Sequence, residues 1–439
     1  MTPTLVLNVV GLSESLLPHA PRLRALGTVR PLQPVLPAVT CSVQASMLTG
    51  VPPASHGIVG NGWYFSDLGE VRFWNRSSRL VQAEQVWDTA RRRDPTFTCA
   101  NLFWWHNCGS TCDTVVQARP IYKADGRKLP DCYAHPESLR GQLQRDLGVF
   151  PLFRFWGPMA DISSSRWIAA AARQVMGEHT LTLVYLPHLD YPLQKLGPDH
   201  PDIPGHVGEI DAIAGELIDA FNGRVLVVSE YGIEATTGDP AIAPNVALLE
   251  AGLLAVRDED GHDMLDPLAS RALAVADHQV AHVYVRDAAT RDVALRACGE
   301  LPGVAEVGQL QHERAGAFTL IAAPGSWFTY DWWHDPARAP DFARTVDIHR
   351  KPGYDPRELF SAASPAAIAW KLLKRKLGQR QLLDVVPLDT TLVRGTHGRT
   401  DMPRSLQPLV IGPHEVIGSD PAPLPCTDIR DAILRSVFE

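Results

Sequence analysis

The sequence has no excess of positive charge, no long apolar run and no cysteine framework. Its 439 residues carry a formal net charge of −8. It therefore lacks the broad basic surface with which nucleic-acid binders meet phosphate backbones. Seven cysteines are scattered along the chain, and an odd, dispersed set in a chain this long is not a disulfide scaffold. Cys108 and Cys112 have the spacing of a zinc-binding or bonded pair, but no second pair stands at ligand spacing, so a structural or incidental role is the simpler reading. The apolar run Thr4–Val10 has no basic segment before it and no small-residue cleavage site after it. It is also too short to span a bilayer. The expectation is a buried first strand, no membrane association and a cytoplasmic location. Internal repeats and low-complexity segments are missing as well. What is present is an ordinary globular composition, 45 % apolar and 21 % charged, with length enough for a large core and more than one structural unit.

Thr4–Val10 is β-branched and ends at Gly11, which suits the central strand of a parallel sheet. Further buried strands are expected at Phe97–Phe103, Thr180–Leu186 and Arg224–Val228, and helices at Ser163–Gly177 and Gly205–Ala220. The stretch 108–160 is irregular and proline-rich and reads as an insertion. From residue 240 the pattern changes. An Asn-capped helix is expected over Asn245–Leu254, strand-like alternation over Ala272–Arg286, a helix over Arg291–Leu301 and a strand over Phe318–Ala323. Aromatic clusters at 63–74, 103–105 and 153–156 read either as core or as the wall of a pocket for a flat group.

The stretch around Thr40 is the most informative. Pro37 precedes Thr40, a run of helix formers follows, and Gly50 with Pro52-Pro53 ends it. A threonine at a helix start faces unpaired N–H groups and the positive end of the dipole, a place that holds anions. Its hydroxyl can cap the helix or attack a phosphate. Downstream stand Thr49-Gly50, Pro53 and His56-Gly57-Ile58-Val59-Gly60-Asn61.

This pattern resembles the nucleophile segment of the alkaline phosphatase superfamily, in particular its nucleotide pyrophosphatase/phosphodiesterase and phosphonoacetate hydrolase branches. The resemblance implies an α/β fold: a mostly parallel central sheet flanked by helices on both faces, with a smaller inserted α+β cap. The catalytic core would occupy 1–239 and 376–439, and the cap 240–375. It also implies that Thr40 is the nucleophile and that Asn61 donates a hydrogen bond to a phosphoryl oxygen.

The relatives hold two metals with three Asp, three His and the Thr hydroxyl. Asn8 stands where their first strand ends in Asp. It can coordinate through its carbonyl oxygen or simply bond a neighbouring strand end. Asp190 matches the Asp of an Asp-x-x-x-His-x-x-Gly-Pro segment, and Gln194 replaces its His. Glu230 and Tyr231 replace an Asp-His pair, and His397 matches the His of the closing segment. Thr40, Asn8, Asp190, Gln194, Glu230, Tyr231 and His397 are thus the candidate metal-binding positions. His188 is a substitute ligand or a structural histidine, and Asp277, His278 and His282 are a second, weaker set. His349 and Arg350, in a Gly/Pro loop, are candidate substrate contacts.

Fewer carboxylates and imidazoles suit one harder divalent ion, Mn or Mg, better than two Zn, though one or two ions and zinc remain open. Two functions follow. One is a metal-dependent phosphodiesterase or nucleotide pyrophosphatase acting on a small phosphorylated substrate, with nucleotides among the candidates. The other is a non-catalytic anion- or nucleotide-binding relative that has lost its bimetal site.

Overall fold

The computed structural model describes residues 1–379 and 381–439. A nine-stranded sheet organises them, in the order Leu424–Pro425, Thr28–Gln33, Leu409–Gly412, Arg224–Val228, Thr4–Val9, Leu181–Leu186, Cys99–Leu102, Thr114–Ala118, Cys132–His135. The five strands from Arg224–Val228 to Thr114–Ala118 run parallel. All six residues of Thr4–Val9 are buried, so both faces of the sheet are covered, as a continuous apolar run requires. Helices Ser163–Val175 and Ile203–Ala220 pack on one another, and Ile429–Phe438 packs against Thr40–Thr49 and Val86–Arg93. The expected α/β architecture is present.

The stretch 108–160 is not an insertion. Thr114–Ala118 joins the parallel ladder beside Cys99–Leu102, and Cys132–His135 pairs antiparallel with it at the sheet edge. The fully buried run Thr-Val-Val-Gln-Ala is a short strand one in from the sheet edge, hidden in sequence by the polar and proline-rich segments around it. Cys108 and Cys112 do not pair. Cys112 Sγ lies 3.7 Å from Cys99 Sγ, and all seven cysteines are free.

A second apolar core forms around a four-stranded antiparallel sheet, in the order Ala272–Asp277, Val280–Val285, Phe318–Ala322, Val304–Gly308. Helices Pro244–Glu250 and Ala288–Gly299 pack on it. Asn245 does not cap the first of these. Pro244 opens the helix and Asn245 is buried inside it, bonding the Ala274 carbonyl and N–H at 2.8 Å each. Its amide satisfies strand groups that the sheet edge leaves unpaired. Among the described residues, no helix is long and apolar enough to cross a membrane.

Candidate active site

Parallel sheets offer functional groups just beyond the carboxyl ends of their strands. Asn8 stands level with Val228 on the neighbouring strand, so Glu230, two residues farther on, comes beside it. Asn8 Nδ2 donates to Glu230 Oε1 at 2.6 Å. Gln44 Nε2 donates to the same oxygen, and Gln44 Oε1 accepts the Trp105 N–H at 2.7 Å. Burial pushes the Glu230 carboxyl up to about 8 against these donors. Gly232 fixes this strand end. A Cβ there would lie 1.5 Å from the Leu406 carbonyl oxygen, so only glycine permits the close approach.

Thr40 is the first residue of the helix Thr40–Thr49, and Val39 is its extended N-cap with no capping side chain. The hydroxyl does not cap the helix. It lies 3.0 Å from Tyr231 Oη, and Tyr231 Oη donates to Asp190 Oδ1 at 3.2 Å. A phenol has one hydrogen, so Thr40 is the donor in the first bond. The result is a directed chain from Thr40 through Tyr231 to Asp190. Burial raises the Asp190 carboxyl to about 7 and raises the Tyr231 phenol well above its ordinary value, which keeps the phenol neutral.

His397 Nδ1 donates to the Ala38 carbonyl, 2.9 Å away. A carbonyl only accepts, so Nδ1 carries the proton and Nε2 is a bare lone pair. Burial lowers the imidazole to about 3. Its ring lies flat on Tyr231, with centroids 3.5 Å apart and planes 5° apart. His278 continues the column at 3.6 Å and Tyr354 at 3.8 Å. Tyr354 Oη then donates to Gln194 Oε1 at 3.0 Å. The second module thus closes over the cluster, and Thr40 is 3 % exposed.

Asn61 links the two modules. Its Oδ1 accepts the Cys41 N–H at 3.0 Å at the helix start. Its Nδ2 and backbone N–H donate to the two oxygens of Asp277 at 3.0 and 2.8 Å. Asp277 and His278 therefore reach the cluster, while His282 does not. It bonds the Val59 carbonyl at 2.9 Å and the Thr319 hydroxyl at 3.1 Å.

His188 faces away, towards His206 and Glu209. His349 and Arg350 line a separate cavity of about 480 Å³ with Arg72, Phe73, Asn75 and Trp332; no residue of the Thr40 cluster lines it. His349 bonds Arg76 at 3.2 Å, and Arg350 pairs with Asp341 at 3.7 Å.

Gln44, Asp277 and Tyr354 do more at this site than the sequence alone indicates. Gln44 had a signal, since it lies four residues after Thr40 and so on the same helix face. Tyr354 had none, because only the tertiary fold brings it to Gln194.

Several donors of the cluster are left free for a cation. Asn8 Oδ1, Glu230 Oε2 and His397 Nε2 are buried with no hydrogen-bond partner. All three offer lone pairs, and unpaired buried acceptors are costly. With Asp190 they supply two carboxylates, one amide oxygen and one imidazole. By donor chemistry that set suits one divalent ion that accepts oxygen ligands, but the ligand atoms of Asp190, Glu230 and His397 do not all lie within 4.8 Å of one another. It does not fit two zinc ions, since Gln194 and the neutral phenol of Tyr231 are poor zinc donors.

The sequence profile described as type I phosphodiesterase/nucleotide pyrophosphatase matches residues 4–355. An uncharacterised pyrophosphatase/phosphodiesterase of Schizosaccharomyces pombe is 22 % identical over 222 residues. That alignment covers 48 % of this chain and 39 % of the relative, so the chain spans well under half of that protein. Phosphonoacetate hydrolase of Sinorhizobium meliloti, solved with phosphonoformate, has a similar fold. Its TM-score is 0.62 at 16 % identity, over 99 % of this chain and 96 % of that one. Murine ectonucleotide pyrophosphatase/phosphodiesterase 5, solved as an inactive variant with AMP, gives 0.56 at 14 % identity, over 100 % and 95 %.

Proposed function

Because the chain belongs to the type I phosphodiesterase/nucleotide pyrophosphatase family, we propose that it hydrolyses a phosphoric ester or pyrophosphate by attack of Thr40 on phosphorus. The observation that carries this reading is the Thr40 hydroxyl itself. It stands at a helix N-terminus, is not spent on capping, and donates into the Tyr231–Asp190 chain.

The helix start favours the anionic phosphoryl group. As Thr40 Oγ1 bonds to phosphorus, its proton passes to Tyr231 Oη while Tyr231 passes its own to the Asp190 carboxylate. The phosphorus–oxygen bond to the leaving group breaks. Asn61 Nδ2 exchanges Asp277 for a non-bridging phosphoryl oxygen and stabilises the developing charge. Water then hydrolyses the threonine phosphoester and restores the hydroxyl. A divalent ion, Mn or Mg before Zn, would be held by Asn8, Asp190, Glu230 and His397 beside Thr40, where it would supply Lewis-acid stabilisation of charge on oxygen. Gln194 and Tyr231 act here as hydrogen-bonding groups. The substrate is a small phosphorylated molecule. The half-buried Trp74 and Trp156 beside Tyr354 suit a flat group such as a nucleobase.

One observation favours the second reading, a binding protein without turnover. The candidate ligand positions bond one another and the cluster is nearly closed to solvent. The two readings part in one experiment: hydrolysis of bis-p-nitrophenyl phosphate with Mn²⁺, Mg²⁺ or Zn²⁺, beside Thr40→Ala. Turnover that needs an ion and disappears in Thr40→Ala supports the enzyme. Phosphate binding with no turnover under any ion supports the binding protein.

A further inference from the structure

Two residues before Asp190, the chain turns a histidine away from the Thr40 cluster. His188 follows the strand Leu181–Leu186 and is 2 % exposed. It meets His206 and Glu209, which stand three apart on one face of the helix Ile203–Ala220. His188 Nε2 lies 3.2 Å from His206 Nδ1 and 3.5 Å from Glu209 Oε2, and His206 Nδ1 lies 3.4 Å from the same oxygen. The three atoms form a nearly equilateral triangle. In a tetrahedral zinc site with bonds of about 2.0–2.1 Å, the donor–donor edges are about 3.3–3.5 Å. Among the described residues, no other group of three or more His, Cys, Asp or Glu converges in this way.

A plain imidazole–imidazole hydrogen bond accounts for one edge of the triangle only. It does not explain why Glu209 Oε2 stands equidistant from both nitrogens and beyond good hydrogen-bond range of each. The other carboxylate oxygen, Oε1, faces Arg166 at 3.7 Å, which leaves Oε2 for the triangle.

We propose that His188, His206 and Glu209 bind one divalent transition-metal ion of the zinc class, with water in the fourth position. The N₂O donor set suits zinc, and three protein ligands leave one place open. The ion clamps the strand-end loop that launches Asp190 onto the Ile203–Ala220 helix. His188 Nδ1 has no hydrogen-bond partner, and a missing outer partner weakens such sites by about 10–100-fold. The expected affinity is therefore about 10–100-fold below that of a site whose outer partner is in place.

The test is a Co²⁺ titration followed by visible absorption, with Zn²⁺ back-titration, on the full chain. It compares wild type, His206→Ala, Glu209→Gln and His397→Ala. His206 and Glu209 are partly exposed, and far-UV circular dichroism without metal checks that their variants fold. The expected result is a tetrahedral Co²⁺ spectrum displaced by Zn²⁺ and retained in His397→Ala. It falls by one ion per chain, or weakens at least about tenfold, in His206→Ala and Glu209→Gln. No tetrahedral spectrum in wild type, or one unchanged in both His206→Ala and Glu209→Gln, would overturn the proposal. Loss confined to His397→Ala would assign the ion to the Thr40 cluster and overturn it equally.

Discussion

Replacing Tyr231 by phenylalanine removes one oxygen from the middle of the Thr40 cluster and changes little else. The ring keeps its place flat on His397, 3.5 Å away, so no cavity opens. Two hydrogen bonds disappear, one to Thr40 Oγ1 at 3.0 Å and one to Asp190 Oδ1 at 3.2 Å. A neutral buried bond is worth about 0.5–1.5 kcal/mol, and a buried group left without its partner costs about 1–3 kcal/mol. The two together give a destabilisation of about 2–4 kcal/mol in ion-free protein, or a Tm lower by a few degrees. The catalytic effect is separate. With the proton route from Thr40 to Asp190 cut, kcat falls by about 100-fold, the low end of acid–base contributions. KM stays within about twofold, because the phenol does not reach the substrate in this scheme. Thermal unfolding and steady-state hydrolysis of bis-p-nitrophenyl phosphate measure the two effects. A variant with wild-type kcat would refute the relay, and one with wild-type Tm would refute the hydrogen-bond accounting.

Other outcomes follow from the same geometry. Asn61→Ala lowers kcat by about 100-fold if its amide serves the phosphoryl oxygen; steady-state kinetics with an unchanged rate would remove Asn61 from the mechanism. Burial raises Asp190 to about 7 and Glu230 to about 8, so the folded chain holds these protons more tightly than the unfolded one. Their contribution to stability is full below the unfolded carboxyl pKa of about 4 and is lost as pH rises through 7 and 8. The Tm of chelator-treated protein should therefore fall between about pH 4 and 8, and Mn²⁺ should flatten the slope by competing with the protons; a Tm that rises over that range contradicts both shifts. Lys351 is buried between Asp355 and Glu358, at 2.8 Å from each. Lys351→Met leaves buried carboxylates short of a cation and costs about 3–5 kcal/mol, which calorimetry would read as a lower Tm at unchanged helix content.

The parallel core was legible because its strands are continuous apolar runs. Thr4–Val9 and Arg224–Val228 appear within a residue or two of where the pattern puts them. Thr114–Ala118 was not legible, because five buried residues between polar loops carry too short a period to separate from an insertion. Asn245 misled for a different reason. Asn at a helix start usually caps, and only the facing strand edge at Ala274 shows why this one is buried. At the site, Thr40, Asp190, Glu230 and His397 come together from strand and helix ends far apart in sequence, in the order the motif spacing implies. The hydrogen bonds that replace the missing imidazoles, from Thr40 to Tyr231 and from Tyr354 to Gln194, depend on tertiary placement and left no trace in the spacing. Neither did the separation of His349 and Arg350 from Thr40, since a basic loop reads the same wherever it lies.

The central claim is that Thr40 becomes covalently bonded to phosphorus during turnover. Rapid acid quench of the protein with a diester substrate, followed by peptide mass mapping, tests this directly. A phosphoryl adduct is expected on the peptide that begins the Thr40–Thr49 helix, localised to Thr40, formed within the first turnover and absent from Thr40→Ala. Steady turnover with no adduct, together with activity retained in Thr40→Ala, would contradict it.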